Sequence, residues 1–149
     1  MDTLSPRIRS SLVGHGVVVI VLGLLAGFPY ALVIAGDLEG ELRAWRMAHL
    51  EGVLNGLVMI GVGGAGGRIA LGPGAARWLH LGLLGAGYGN VVAAVIGASA
   101  GVRGLAPTGP AANLVVFALF TVAIAGVLVG LALAAVGAFR LAGRSEATD

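Results

Sequence analysis

Four apolar runs, at about residues 11–35, 47–67, 75–100 and 113–139, take up most of the chain. Each is long enough to cross a bilayer core of about 30 Å, which takes roughly 20 helical residues. This restricts the fold more than any other feature, because a segment in lipid must satisfy its backbone hydrogen bonds internally. Among Asp, Glu and Arg, only Glu51 and Arg77 fall inside the runs. The rest of the chain cannot supply a water-facing surface: 58% of the 149 residues are hydrophobic and 11% are charged, against about 25% charged in soluble domains. The expected fold is an all-α membrane protein, one domain over residues 1–149 built as a four-transmembrane-helix bundle. A signal peptide is the competing reading of the first run, since Val33-Ile34-Ala35 before Gly36 is loosely cleavage-like. That run exceeds the roughly 7–15 residues of a signal's apolar region and is read as a retained helix.

The connections carry the charge. Gly36–Arg46 holds Asp37, Glu39, Glu41, Arg43 and Arg46, with Trp45 at interface depth. Gly66–Gly74 is Gly/Pro-rich and carries Arg68; Gly101–Ala112, with Arg103, Pro107 and Pro110, reads as an ordered loop. The tail Ser145–Asp149 is expected to fray. Positive charge comes from nine arginines and no lysine, scattered through the connections, which suits membrane topology and gives no nucleic-acid surface. The termini and second connection hold Arg7, Arg9, Arg68, Arg77, Arg140 and Arg144; the other connections hold Arg43, Arg46 and Arg103. That bias predicts both termini in the cytoplasm. Without cysteine, thiolate catalysis, disulfides and cysteine-ligated iron–sulfur clusters are excluded. Among 27 glycines, Gly52-x-x-x-Gly56 and the row Gly82, Gly85, Gly89 are expected to mark helix-packing faces.

One stretch asks for a function. Met47–Gly56, M-A-H-L-E-G-V-L-N-G, places a histidine, a carboxylate and a carboxamide at the head of the second run. An acid at the centre of a membrane helix costs about 2.5–3.5 kcal/mol on insertion scales. The three histidines, His15, His49 and His80, lie early in three different helices, so alternating topology separates His49 from the other two. No two share a helix at ligand spacing, so a zinc site is weakly supported. Haem suits a helical bundle better, needing only one or two histidines. At 3.6 residues per turn His49, Gly52 and Gly56 share a stripe that would leave room for a flat macrocycle, while Asn55 lies about 240° around from His49. One haem reaching both His49 and Asn55 is awkward on a single helix and easy between two copies of the chain. Plainer uses exist for each residue. His49 could be solvated or bonded to backbone, and Glu51 could pair with Arg43, Arg46 or Arg103. Asn55 and Asn90 could simply bond between helices, and Tyr88 could only pack. Arg103 could belong to its loop or clamp a haem propionate.

A resemblance to a known family narrows these options. Ala48–Gly56, A-H-L-E-G-V-L-N-G, resembles the A-H-x-G-x-x-L-N-G segment of the styrene oxide isomerases, small bacterial four-helix membrane proteins. Gly14–Gly16, G-H-G, is similar to the opening of their first helix. Gly87–Val91, G-Y-G-N-V, followed by Val102–Leu105, V-R-G-L, is similar to their G-W-S-N-V and N-R-G-L at the same spacing. The similarity runs from about Gly14 to Gly137. It implies a symmetric homotrimer in the bacterial inner membrane with haem b at subunit interfaces. It also implies conversion of a hydrophobic aryl epoxide to an aldehyde by a 1,2-hydride shift, with ferric haem as Lewis acid. His49 would be the iron ligand and Asn55 would face the epoxide. Asn90 and Tyr88 would complete the catalytic side, and Gly52, Gly56 and Arg103 would border the cofactor.

The chain departs from the family pattern in four places. Ala86 stands where the family has an aspartate, Tyr88 replaces a tryptophan, and Ala94 replaces a tyrosine that helps orient the epoxide. Glu51 is a charge the pattern does not call for. Two rival functions follow from the same residues. One is a b-type cytochrome ligated by His15 and His80, or another haem protein without isomerase activity. The other is a cofactor-free bundle.

Overall fold

The structure, a computed structural model, describes residues 2–146, with side chains to residue 143. Its elements in order are β1 (Asp2–Thr3), α1 (Pro6–Ala35), α2 (Leu42–Ala65), a single 3₁₀ turn (Gly66–Arg68), β2 (Ala70–Leu71), α3 (Pro73–Ala100) and α4 (Ala111–Glu146). Among the described residues four helices are long and apolar enough to cross a membrane. Each starts before its apolar run, and local chemistry accounts for two of the starts. Pro6 opens α1, with the Ser5 hydroxyl accepting from the Ile8 N–H at 3.4 Å; Pro73 likewise opens α3. Proline fits here because a first-turn residue has no intrahelical use for its N–H. Gly36 (φ 83°) and Gly101 (φ 65°) end α1 and α3 in the left-handed region. Because α2 begins at Leu42, Arg43 and Arg46 lie in its opening turns, not in a loop. Helix α4 continues through Glu146, so the first two residues of the expected frayed tail are helical, and Ala147–Asp149 lie outside the described residues.

A small strand pair, not foreseen from the sequence, ties the N-terminus down. Asp2 and Thr3 pair antiparallel with Leu71 and Ala70, and the Leu4 N–H donates to the carbonyls of Gly66 (3.2 Å) and Ile69 (3.1 Å). Leu4, Ile69 and Leu71 are buried there, and Gly137 of α4 packs closely over Ile69 and Leu71. The start of α1, the α2–α3 connection and the last part of α4 therefore share one end of the bundle. The α1–α2 and α3–α4 connections share the other.

The most extensive packing joins α1 to α2 and α3 to α4, with lesser α2–α3 and α1–α3 seams. Glycine explains the two tightest seams. A methyl group on Gly56 would lie 2.5 Å from the Gly16 carbonyl oxygen, and one on Gly52 would collide with the Gly23 backbone. Gly82 and Gly126 meet the same way, each carbonyl oxygen 2.6–2.7 Å from where the other's methyl would be. The row Gly82, Gly85, Gly89 divides. Gly82 and Gly89 face α4, but nothing lies within 4 Å of a methyl on Gly85. Seven residues nearly complete two turns, whereas three leave Gly85 about 60° off the stripe. Inside the bundle, Leu12, Val19, Met59, Leu79 and Leu83 are almost wholly buried. The outside is apolar too, with Phe28, Leu54, Val122 and Phe139 exposed, the pattern of a bundle whose solvent is lipid.

Candidate functional site

Helix α2 carries different chemistry on its two inner faces. On the α1 side, the half-buried His49 shares a hydrogen through Nδ1 with the Gly23 carbonyl oxygen at 2.9 Å. A carbonyl can only accept, so Nδ1 carries the proton and Nε2 keeps its lone pair. No partner for Nε2 exists among the described residues. The ring is further held by Tyr30, stacked at 6.4 Å between centroids and 15° between planes. Gly27 leaves the space, since a methyl there would come within 3.1 Å of Nδ1. A histidine whose second nitrogen is fixed by a backbone carbonyl is the usual arrangement of a metal-ligating imidazole. His49 thus fits an iron ligand.

On the α3 side lies a chain of three polar residues. Asn90, 7% exposed and the one buried polar side chain among the described residues, donates to Asn55 Oδ1 at 3.2 Å. Asn55 Nδ2 donates in turn to the Glu51 backbone oxygen and to Glu51 Oε2, both at 2.8 Å. Both amide hydrogens of Asn55 are therefore engaged. For Asn55 to meet an incoming oxygen, as the resemblance implies, its bond to the carboxylate must first be exchanged. The cause of that bond is the four-residue spacing, which stacks Glu51 and Asn55 on one helical stripe.

Glu51 also lines a cavity of about 290 Å³ between α2, α3 and α4. Met47, Ala94, Ala98, Val102 and Phe120 form its apolar wall, and Arg43, Arg103 and Glu41 stand among its lining residues. Arg103 Nη2 pairs with Glu41 Oε1 at 3.3 Å, both side chains well exposed. Such a pair contributes at most about 1 kcal/mol, so it holds Arg103 loosely. The α3–α4 loop beside it is ordered by Asn113, which accepts from the Gly104 N–H (2.8 Å) and donates to the Ala106 and Thr108 carbonyls (2.8 and 2.7 Å).

The three histidines do not converge. His80 Nε2 bonds to the Ser11 hydroxyl at 2.9 Å, and His15 Nδ1 to the Tyr88 hydroxyl at 2.8 Å. These are two rungs of one α1–α3 ladder, away from His49. Tyr88, expected beside the asparagines, instead points its hydroxyl to His15, because two residues along α3 turn it about 200° from Asn90. The expectation of a macrocycle slot beside Gly52 and Gly56 is also corrected. Helix α1 already occupies that space, and the two glycines serve helix packing.

Comparison with known families decides the kinship. The family model described as styrene oxide isomerase matches residues 8–139. The chain belongs to the styrene oxide isomerase family. A comparison with curated proteins returned no match. Membership in this isomerase family suggests an epoxide isomerase. Of the positions expected to depart from the family pattern, Ala86 and Ala94 are buried in α3, at 1% and 7% exposure, and Ala94 and Glu51 line the same cavity.

Two groups that matter here escaped sequence reasoning: the Gly23 carbonyl with the Gly27 gap, and Tyr30. A signal existed for the first, since Gly23-x-x-x-Gly27 is a small-residue spacing like the one noticed on α2. Tyr30, one residue after Pro29, carried no comparable mark.

Proposed function

We propose that this styrene oxide isomerase family member is a haem b-dependent isomerase that converts an aryl epoxide to the aldehyde by a 1,2-hydride shift. The match over residues 8–139 carries the reading, and the free Nε2 of His49 supports haem as cofactor. When bound, ferric haem supplies a Lewis acid for the epoxide oxygen, a contribution of several kcal/mol in metal-assisted chemistry generally.

The residues of the chain divide the remaining work. His49 holds the cofactor through Nε2, with the Gly23 carbonyl setting its tautomer. Asn55 orients the epoxide oxygen by exchanging its bond to the Glu51 carboxylate for one to the substrate, and Asn90 keeps the Asn55 carbonyl turned away. The apolar surface of Val91, Ala94 and Val95 excludes water, which would otherwise divert a benzylic cation to the diol. His49 faces α1 and Asn55 faces α3, so one copy supplies the ligand and its neighbour the carboxamide. That requires a homo-oligomer, for which we propose a symmetric trimer. Six of nine arginines at the end that carries both termini and the α2–α3 connection support a bacterial inner-membrane protein with cytoplasmic termini.

The test is the visible spectrum of protein purified in mild detergent, followed by assay with styrene oxide. A haem b Soret band and aldehyde product are expected. Colourless protein, or haem-loaded ferric protein inert towards a panel of aryl epoxides, would overturn the reading.

A further inference from the structure

We propose that the cavity between α2, α3 and α4 is a substrate subsite for a hydrogen-bond-donating ring substituent, such as a phenolic hydroxyl, with Glu51 as its acceptor. The inference rests on the isomerase reading for the epoxide end of the ligand, but the subsite itself is argued from the cavity. Glu51 stands nine residues inside α2, roughly 13 Å from its start. A carboxylate within an apolar spanning segment needs partners. One oxygen, Oε2, accepts from Asn55; the other, Oε1, has no partner among the described residues. The nearby cations do not supply one. Arg103 is turned to Glu41, and no ion pair joins Glu51 to Arg43 among the described residues.

The cavity is small and well suited to an aryl group. Its volume of about 290 Å³ sits at the lower edge of the roughly 300–1,000 Å³ typical of ligand pockets. Its apolar wall includes Met47, Ala94, Ala98 and Phe120, with Glu51 beside them; the other lining acid, Glu41, is already paired with Arg103. A larger side chain at position 94 would project into it, so the alanine leaves room and the carboxylate sets the chemistry. An ionised carboxylate only accepts hydrogen bonds. The matching ligand therefore carries a donor, and a methyl ether of similar size leaves the carboxylate unpaired. Sites built around a polar partner reject the analogue lacking it far more strongly than apolar pockets reject a missing methylene.

Binding of unreactive probes separates this from isomerase activity. Titration calorimetry of the detergent-purified protein would compare 4-ethylphenol, whose one donor is the ring hydroxyl, with 4-ethylanisole, which has none. The hydroxylated probe is expected to bind about 10–100-fold tighter, the range of a charge-assisted hydrogen bond. Glu51→Ala should reduce that preference to under about threefold, and Ala94→Tyr should abolish binding of both probes. Far-ultraviolet circular dichroism would show whether each variant keeps its helices; should Glu51→Ala lose them, Glu51→Gln takes its place, with a preference reduced at least threefold. Equal binding of the two probes, no binding of either, or a preference that survives loss of the carboxylate would overturn the subsite. A protein inert towards epoxides that still shows the Glu51-dependent preference would remove the isomerase reading and leave the subsite standing.

Discussion

The α1–α2 and α2–α3 seams share a helix and solve the membrane packing problem in opposite ways. Between α1 and α2, side chains are removed: Gly16, Gly23, Gly52 and Gly56 bring backbones into direct contact. Between α2 and α3, polar side chains are added: Asn90, Asn55 and Glu51 link the helices through hydrogen bonds. The first seam has no slack, because backbone cannot rotate away from backbone. That rigidity suits His49, whose tautomer depends on the position of the Gly23 carbonyl. The second seam can rearrange, because amide and carboxylate can exchange partners at similar cost. That suits a group which must release one bond to make another. On one helix, His49 thus sits on the rigid seam and Asn55 on the adaptable one, six residues apart.

The sharpest test removes the fixed side. His49→Ala should purify nearly free of haem b, measured as Soret absorbance per protein, while His15→Ala and His80→Ala keep the pigment. Full haem in His49→Ala would detach the rigid seam from cofactor binding. On the adaptable side, Asn55→Ala should keep its haem and lose about 10–1,000-fold in turnover, as for removal of a single charge-stabilising donor. Unchanged turnover would leave the polar chain with a structural role alone.

Smaller effects compare the seams as packing. Gly52→Ala should destabilise by about 1–3 kcal/mol, the usual range for overpacking, seen as a lower midpoint on thermal unfolding in detergent. Asn90→Ala should cost less, about 0.6–2 kcal/mol, the range of interhelical hydrogen bonds in membranes. The reverse order would mean that the polar seam is the stiffer one. Gly61→Ala, on the same helix with nothing within 4 Å of the added methyl, should be neutral or stabilise by up to about 1 kcal/mol. A loss there matching Gly52→Ala would show that helix contact is not what distinguishes the two positions.

Much of this site was legible one residue at a time. The 240° between His49 and Asn55 follows from helical pitch, and the structure turns them to different neighbours, α1 and α3. The Gly52–Gly56 spacing marked a packing face, and α1 packs there. Other expectations concerned what lies opposite a residue, and these needed correction. The stripe beside His49 looked like room for a macrocycle, since missing side chains look alike whether a cofactor or a helix fills the gap. The family resemblance alone places Tyr88 with Asn90, yet residues two apart along a helix lie on nearly opposite sides, and its hydroxyl meets His15. Glu51, with three arginines as possible partners, finds its partner Asn55 on its own helix. The strand pair of β1 and β2 is two residues long on each side, too short to leave a periodic pattern.

What needs only the chain's own pattern is the number of spanning helices, the placement of charge in their connections and the angle of each side chain about its own axis. These depend on hydropathy and on the pitch of a helix, both properties of local sequence. Which helix stands at each angle was decided by packing. Gly23 against Gly52, Gly16 against Gly56 and Asn90 against Asn55 join positions 29, 40 and 35 residues apart. Such pairings follow from how close the backbones of two helices can approach. That distance is set jointly by both surfaces, and neither helix carries it alone.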